Sequence, residues 1–216
     1  MFSLLFLWQT EGEEVKILAI DQARSGAWAV FDYENKTLET YGTFSYGYHD
    51  YTFAQAVLQI EGLIETVIKT YGISAVFIED IQMRVNAQSF KKLAQLQGVL
   101  VNLCEKNHFA YWYVAPPQWQ NFCRARGRSE KEIREKIKSI EATGKKRSKA
   151  LSIEMVHELY GIDTENDNLA DAILQGHYVV NRIKITAGEN GSLHIEQIKQ
   201  PKRKRRVRRK TQEAAT

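Results

Sequence analysis

Hydrophobic and polar positions divide the chain into short apolar runs and longer periodic stretches. Val15 to Asp21 is apolar except at Lys16 and predicts a buried strand that ends on a carboxylate. Ala27 to Tyr33 and Thr37 to Tyr46 predict two more strands. Glu34-Asn35-Lys36 is a tight turn between them, so the three form an antiparallel meander. From Phe53 to Tyr71, apolar residues recur at three- and four-residue spacing, which predicts a helix that Gly72 stops. Ser74 to Asp80 (SAVFIED) is a fourth strand; entered through a helix, it pairs in parallel. Ser89 to Asn107 is a second helix, with Leu93, Leu96, Leu100 and Leu103 on one face, and Phe109 to Val114 is a fifth strand. Pro117 to Gln120 begins a short helix, since proline suits a first turn.

Farther on, Ser148 to Tyr160 reads as a helix ended by Gly161, Asp167 to Ile185 as the last long helix, and Ser192 to Ile198 as a late strand. The order is three strands, helix, strand, helix, strand, then helices. That order predicts an α/β domain with a mixed sheet over residues 14–187. Residues 1–13 are an N-terminal extension, and 188–216 a C-terminal extension with a disordered basic tail.

Charge sharpens this division. Of 30 Lys/Arg, nine fall in Lys199 to Thr216, against one of the 26 Asp/Glu. The first 198 residues therefore carry 21 against 25, a net of −4, and the tail carries +8. The tail is read as a non-specific DNA contact. Deleting it should flatten the salt dependence of duplex binding, because each neutralised phosphate contributes about 0.9 to the slope. Affinities measured at several salt concentrations check this. A second basic run, Lys145-Lys146-Arg147 with Lys149, interrupts a mixed-charge stretch. Cys104 and Cys123 have no metal-type spacing and read as free thiols of a reducing compartment. Met1 to Trp8 is apolar but too short to span a bilayer and lacks a basic start and a cleavage motif. No membrane role is expected.

Asp21 and Glu79 both sit at C-terminal strand ends, where α/β sheets place their sites. The late helix can add Asp171, together with Asp167 or Asn168, which are one turn away on the same face. Asp80, next to Glu79, is expected to face away by strand alternation. Carboxylates gathered in this number repel one another unless a cation joins them. Hard oxygen donors suit Mg²⁺ or Mn²⁺, and two such ions roughly 3.5–4 Å apart would stabilise the attacking and leaving oxygens of a phosphoryl displacement. The histidines do not cluster, and Tyr111-Trp112-Tyr113 reads as strand packing.

Four stretches together resemble one family: AIDQARSGAW, FIEDIQMRVNAQSFKKLAQLQGV, the lysine-led KALSIEMV from Lys149, and DNLADA from Asp167. In their order and separation they resemble the RuvC-type Holliday junction resolvases, over residues 15 to about 183. The resemblance implies a ribonuclease H-like fold, a mixed five-stranded sheet flanked by helices. It also implies Asp21, Glu79 and Asp171 as ligands of two Mg²⁺ per site, with Mn²⁺ as a substitute. Lys149 becomes the cation beside the scissile phosphate. The fourth family ligand falls at Asn168, where Asp167 next door is the alternative. Bacterial members carry an aromatic residue three positions past the glutamate, implied to wedge into the junction. Here that position is Gln82, and Met83 is the nearest apolar substitute. Gln82, Met83, Arg84, Asn86, Lys91, Lys92, Lys145, Lys146 and Arg147 are the candidate DNA contacts.

The expectation is therefore a metal-dependent endonuclease that resolves Holliday junctions and related branched DNA by paired phosphodiester hydrolysis. Two symmetric cuts call for a homodimer, with Ser89 to Asn107 as a candidate interface. Gln82 and the basic tail are read as marks of a phage or mobile-element member that works without a helicase partner. Its compartment would be the cytoplasm, that of the bacterial host if phage-encoded. The rival readings are a ribonuclease H-like nuclease acting on flaps, forks or hybrids, and a branched-DNA-binding protein with weakened catalysis, which Asn168 favours. An actin-like phosphotransferase would need a second glycine-rich phosphate loop, and none is found.

Overall fold

The computed structural model describes residues 14–47, 51–82, 86–125, 147–188 and 192–198, with residues 147–150 described by backbone alone. The meander is present as β1 (Lys16–Asp21), β2 (Ser25–Asp32) and β3 (Thr37–Ser45). Asp32 holds the β2–β3 turn, accepting hydrogen bonds from the Asn35 backbone N–H (2.9 Å) and side-chain amide (2.6 Å). These bonds, with the Asn35 backbone contact the largest cause, hold the Asp32 carboxyl below the usual carboxylate range against the opposing effect of its burial.

Helix α1 (Phe53–Tyr71) starts with a capping box: Thr52 Oγ1 accepts from the Gln55 N–H and Gln55 Oε1 accepts from the Thr52 N–H. It ends at Gly72, whose φ of 63° is the left-handed conformation glycine tolerates. Then come β4 (Ile73–Glu79), α2 (Ala87–Lys106), β5 (Ala110–Val114) and α3 (Pro116–Phe122). They are followed by α4 (Arg147–Tyr160), α5 (Asp167–Arg182), β6 (Ile183–Ala187) and β7 (Leu193–Gln197).

The main sheet has the order β3-β2-β1-β4-β5. β1 pairs antiparallel with β2 and parallel with β4, and β4 pairs parallel with β5, as the crossover helices require. This is the mixed five-stranded sheet flanked by helices that the sequence predicts. Strand alternation then sorts the core into two layers. Leu18, Ile20, Val30, Val76 and Ile78 face α1 and α2, meeting Ile60, Ile64, Leu96 and Leu100. Ile17, Ala27, Ala29, Phe31, Ala75 and Phe77 face the other way, against α3, α4 and α5, meeting Trp119, Val156, Ile173 and Val179. Several residues of that second layer are alanines, so α5 lies close to the sheet. At Gly176 a Cβ would fall 2.3 Å from the Phe31 ring. Cys104 and Cys123 are buried free thiols, each pushed up to about 12 by burial, in keeping with no chemistry.

Two readings are corrected. The last long helix ends at Arg182 rather than running to Ile185, because Ile183 to Ala187 pair with β7 instead. Tyr33 secures that strand, its hydroxyl donating to the Ile183 carbonyl (2.9 Å) and accepting from the Ile185 N–H (3.1 Å). The aromatics of β5 are only partly packed. β5 is an edge strand, and Trp112 and Tyr113 remain 39% and 40% exposed. Among the described residues no helix is long and apolar enough to cross a membrane.

Candidate active site

Alternation places Asp21 on the face of Ile17 and Glu79 on the face of Ala75 and Phe77, which is the face that α5 covers. Asp21 is the last residue of β1, 5% exposed, and Glu79 is the last of the neighbouring parallel strand β4. Parallel pairing brings both C-terminal ends to one edge of the sheet. Helix α5 begins there. Asn166 caps it, accepting from the Asn168 and Leu169 N–H groups (3.0 and 3.2 Å), so Asp167, Asn168 and Asp171 lie in its first turns.

A cavity of about 690 Å³ opens at this corner, and Asp21, Glu79, Asp167, Asn168 and Asp171 all line it. Residues from three elements far apart in sequence thus meet at one site. Asp80 follows Glu79 with its backbone N–H donating to Val114 O at 2.9 Å, so the pairing with β5 runs one step past β4. Burial, and then the Asp80 charge, raise the pKa of Tyr113, which pairs with Ile78, so Asp80 lies on the side of the sheet away from Glu79, as alternation predicts, and borders the cavity from there. No histidine or cysteine is among the described lining residues. The donor set is oxygen alone, the chemistry that fits a hard divalent cation.

Side chains that sequence reasoning missed hold this corner in place. The Trp119 indole, 1% exposed, donates to Glu79 Oε1 at 2.9 Å, which orients the carboxylate. Gln22 Nε2 donates to the Glu79 carbonyl at 2.7 Å, tying the segment after β1 to the end of β4. Gln175, fully buried on α5, donates to Phe77 O at 3.0 Å and anchors the helix to β4 two residues before Glu79. At Gly26 a Cβ would fall 2.5 Å from the Asp21 carbonyl, so only glycine lets β2 turn back this close to the site. Adjacency to Asp21 was the one sequence signal for Gln22; Trp119 and Gln175 gave none.

Other candidates are distributed as follows. Gln82 and Lys92 line the cavity. Asn86 caps α2, accepting from the Gln88 and Ser89 N–H groups (3.1 Å each), which is a structural task in itself. Lys91 is exposed on α2. Arg147 and Lys149 belong to the first turn of α4, described there by backbone only. Met83, Arg84, Lys145, Lys146, residues 1–13 and the basic tail lie outside the described residues.

Among the described residues, the three acidic groups whose oxygens lie within 4.8 Å of one another are a different set: Glu14, Asp32 and Glu39. They gather at the start of β1, the opposite end from Asp21. Lys16 already provides the cation there, 2.9 Å from Glu39 and 3.6 Å from Glu14. The Glu39 hydrogen bond raises the Lys16 pKa, and this cluster is an ion-pair network.

The family model of crossover junction endodeoxyribonuclease RuvC matches residues 17–157. That span contains Asp21, Glu79 and Lys149 and stops short of Asp167 to Asp171, which the fold brings to the same cavity. Among solved structures, Thermus thermophilus RuvC in complex with Holliday junction substrate is similar, with a TM-score of 0.56 at 13% identity. The match covers 76% of this chain and 92% of that one. A second Thermus thermophilus RuvC structure matches over the same shares at 14% identity, again with a TM-score of 0.56. The yeast mitochondrial Holliday junction resolvase Ydc2 matches with a TM-score of 0.51 at 12% identity, over 77% of this chain and 79% of that one. At these identities the likeness establishes the ribonuclease H-like fold. No protein of curated function shows a significant sequence match.

Proposed function

The chain belongs to the RuvC family of crossover junction endodeoxyribonucleases, hydrolases acting on DNA junctions, and from that premise we propose how its own residues do the work. Asp21, Glu79 and Asp171 are the metal ligands, and Mg²⁺ is the physiological ion, with Mn²⁺ as a substitute. The observation that carries this reading is the single cavity that collects these carboxylates with Asp167 and Asn168. Divalent ions held there supply Lewis-acid polarisation of the phosphodiester and a water of lowered pKa. The chain's own residues do the rest. Trp119 holds one Glu79 oxygen and so fixes the orientation of the carboxylate at the cavity. The clamp from Gln22 to Glu79 fixes the spacing of the two strand ends. Lys149 is assigned the charge that builds on the phosphate as water adds and the P–O bond breaks.

The fourth ligand is assigned to Asn168 or Asp167, both of which line the cavity. An Asn carbonyl offers an oxygen without charge, whereas Asp167 offers a full negative charge. Separate Asp167→Ala and Asn168→Ala variants distinguish them. The variant that removes the ligand should raise the Mg²⁺ concentration needed for half-maximal cleavage about tenfold or more; the other should leave it unchanged. Equal effects would reject a single fourth ligand.

Four-way junction resolution requires two symmetric cuts, so the active species is proposed to be a homodimer. The leucine face of α2 packs on the sheet through Leu96, Leu100 and Leu103. A dimer contact through this helix therefore uses its outward face. Cleavage of a labelled four-way junction in Mg²⁺, beside linear duplex, flap and RNA–DNA hybrid, tests the substrate assignment. Selective cutting of the junction is the expected result. Equal cutting of linear duplex would overturn it, and preference for flaps or hybrids would favour the broader nuclease reading.

A further inference from the structure

In the layer of α3, α4 and α5, a chain of rings runs from the sheet to the end of α3. Phe31 of β2 meets Tyr160, the last residue of α4, edge on, with centroids 5.9 Å apart at 75°. Tyr160 meets His177 of α5 edge on at 5.7 Å, and its hydroxyl shares a 2.6 Å hydrogen bond with His177 Nδ1. His177 in turn stacks on Phe122, the last residue of α3, at 5.8 Å and 29°. Tyr178 closes in on Phe122 edge on at 5.8 Å, and the Arg182 guanidinium lies 4.6 Å from its ring centroid. Burial lowers the His177 pKa, so the imidazole is uncharged near neutral pH and packs as an apolar ring.

Among the described ring contacts, His177 alone joins α3 to α4. The join bears on the carboxylate cavity through α3. Phe122 lies three residues after Trp119 and so shares its helix face. Trp119 is the donor to Glu79 Oε1 at 2.9 Å. The whole of α3 is only about 10 Å long, so a shift at Phe122 carries to Trp119 one turn away. Cys123 holds the same end, its thiol donating to Leu174 O on α5 at 3.3 Å. Asp171 lies on α5 as well, fewer than two turns before His177. One ring thus refers the partner of Glu79 and the backbone that carries Asp171 to a common point.

We propose that His177 is a positioning residue for the carboxylate site: its ring, fixed by Tyr160, seats the end of α3 so that Trp119 holds the Glu79 carboxylate in register with Asp171. The proposal deepens the reading of Glu79 and Asp171 as metal ligands and rests on it for the effect on metal binding. His177 acts through Phe122 and the Trp119 N–H.

Two measurements on the full chain test it. The first is hydrogen exchange of the Trp119 indole N–H in metal-free protein, assigned by its loss in Trp119→Phe. His177→Ala should speed that exchange about tenfold relative to the β1 amides of Ile17 to Ile20, a local rather than a global opening. The second is calorimetric titration with Mg²⁺ alone. His177→Ala should bind about tenfold more weakly, the lower end of the loss when a ligand's outer partner is removed. Trp119→Phe should do the same. The double variant should be no weaker than Trp119→Phe, because both changes act through one hydrogen bond. Phe122→Leu keeps apolar bulk and loses the flat ring; it replaces His177→Ala in both measurements should that variant not fold. Indole exchange at the wild-type rate would overturn the proposal. Equal acceleration of the indole and the β1 amides would do so too, as would a full further loss of Mg²⁺ affinity in the double variant, since His177 would then support the fold at large. If wild type binds no Mg²⁺ while indole exchange still depends on His177, the seating of Trp119 stands and the metal-ligand reading fails. If His177→Ala binds Mg²⁺ as wild type does, the positioning role fails and the metal-ligand reading stands.

Discussion

Asp21→Asn should reduce Mg²⁺-dependent junction cleavage by about a thousandfold without unfolding the protein. Asp21 is the last residue of β1, paired across to Ala27, and 5% exposed. Asparagine matches its shape and keeps one oxygen, so the strand end and its backbone pairing are retained. What is lost is one full negative charge at a site built of hard oxygen donors. Metal polarisation of a phosphate is worth several kcal/mol, and about 4 kcal/mol corresponds to about a thousandfold in rate. The same substitution relieves repulsion among Asp21, Glu79 and Asp171, which share one cavity. Metal-free Asp21→Asn should therefore unfold at the same temperature as wild type or higher. Mg²⁺ should raise the wild-type unfolding temperature and leave the variant's unchanged, since only a ligand bound by the folded state stabilises it. A variant that cuts junctions at the wild-type rate would remove Asp21 from the mechanism.

Gly176→Val should cost about 3 kcal/mol of stability, or about 6–12 °C in unfolding temperature. Even the first added carbon would lie 2.3 Å from Phe31 Cε2, and Phe31 is fully buried in the sheet. Neither the ring nor the helix can yield without opening the layer between α5 and β2. Valine's helix propensity exceeds glycine's, a gain of less than about 1 kcal/mol that offsets only part of this. The damage reaches the site because α5 also carries Asp171 and Asn168 and is tied to β4 through Gln175. Mg²⁺ affinity should fall together with stability. Gly98→Ala is the matched control. It lies in α2 with nothing within 4 Å of an added Cβ, so it should raise stability by up to about 1 kcal/mol. Thermal unfolding of the two variants decides the matter, and an unchanged Gly176→Val would show that α5 is not seated by this contact.

The element order was legible because each main element carries its own period. β1 and β4 are continuous apolar runs, and α1 repeats its apolar residues over nineteen positions between a Thr52 cap and Gly72. The strand-end carboxylates were legible for the same reason. Alternation along β1 and β4 assigns Asp21 and Glu79 to one face before any neighbour is known. Asp171 was legible as a carboxylate among apolar neighbours, and the RuvC-type motifs joined it to the other two.

What the chain alone did not disclose depends on neighbours distant in sequence. Ile183 to Ala187 continues the helical pattern, and only its pairing with β7 makes it a strand. Trp119 reads as one more apolar side chain, yet its indole N–H stands 40 residues on from the carboxylate it orients. Periodicity along one strand or helix is a local property, set by steric and solvation preferences that each residue carries with it, and the sequence by itself determined that much. Which side chains converge on one cavity is set by how the helices lie across the sheet, and that was decided only by the packing of α1, α2, α3 and α5 around β1 and β4.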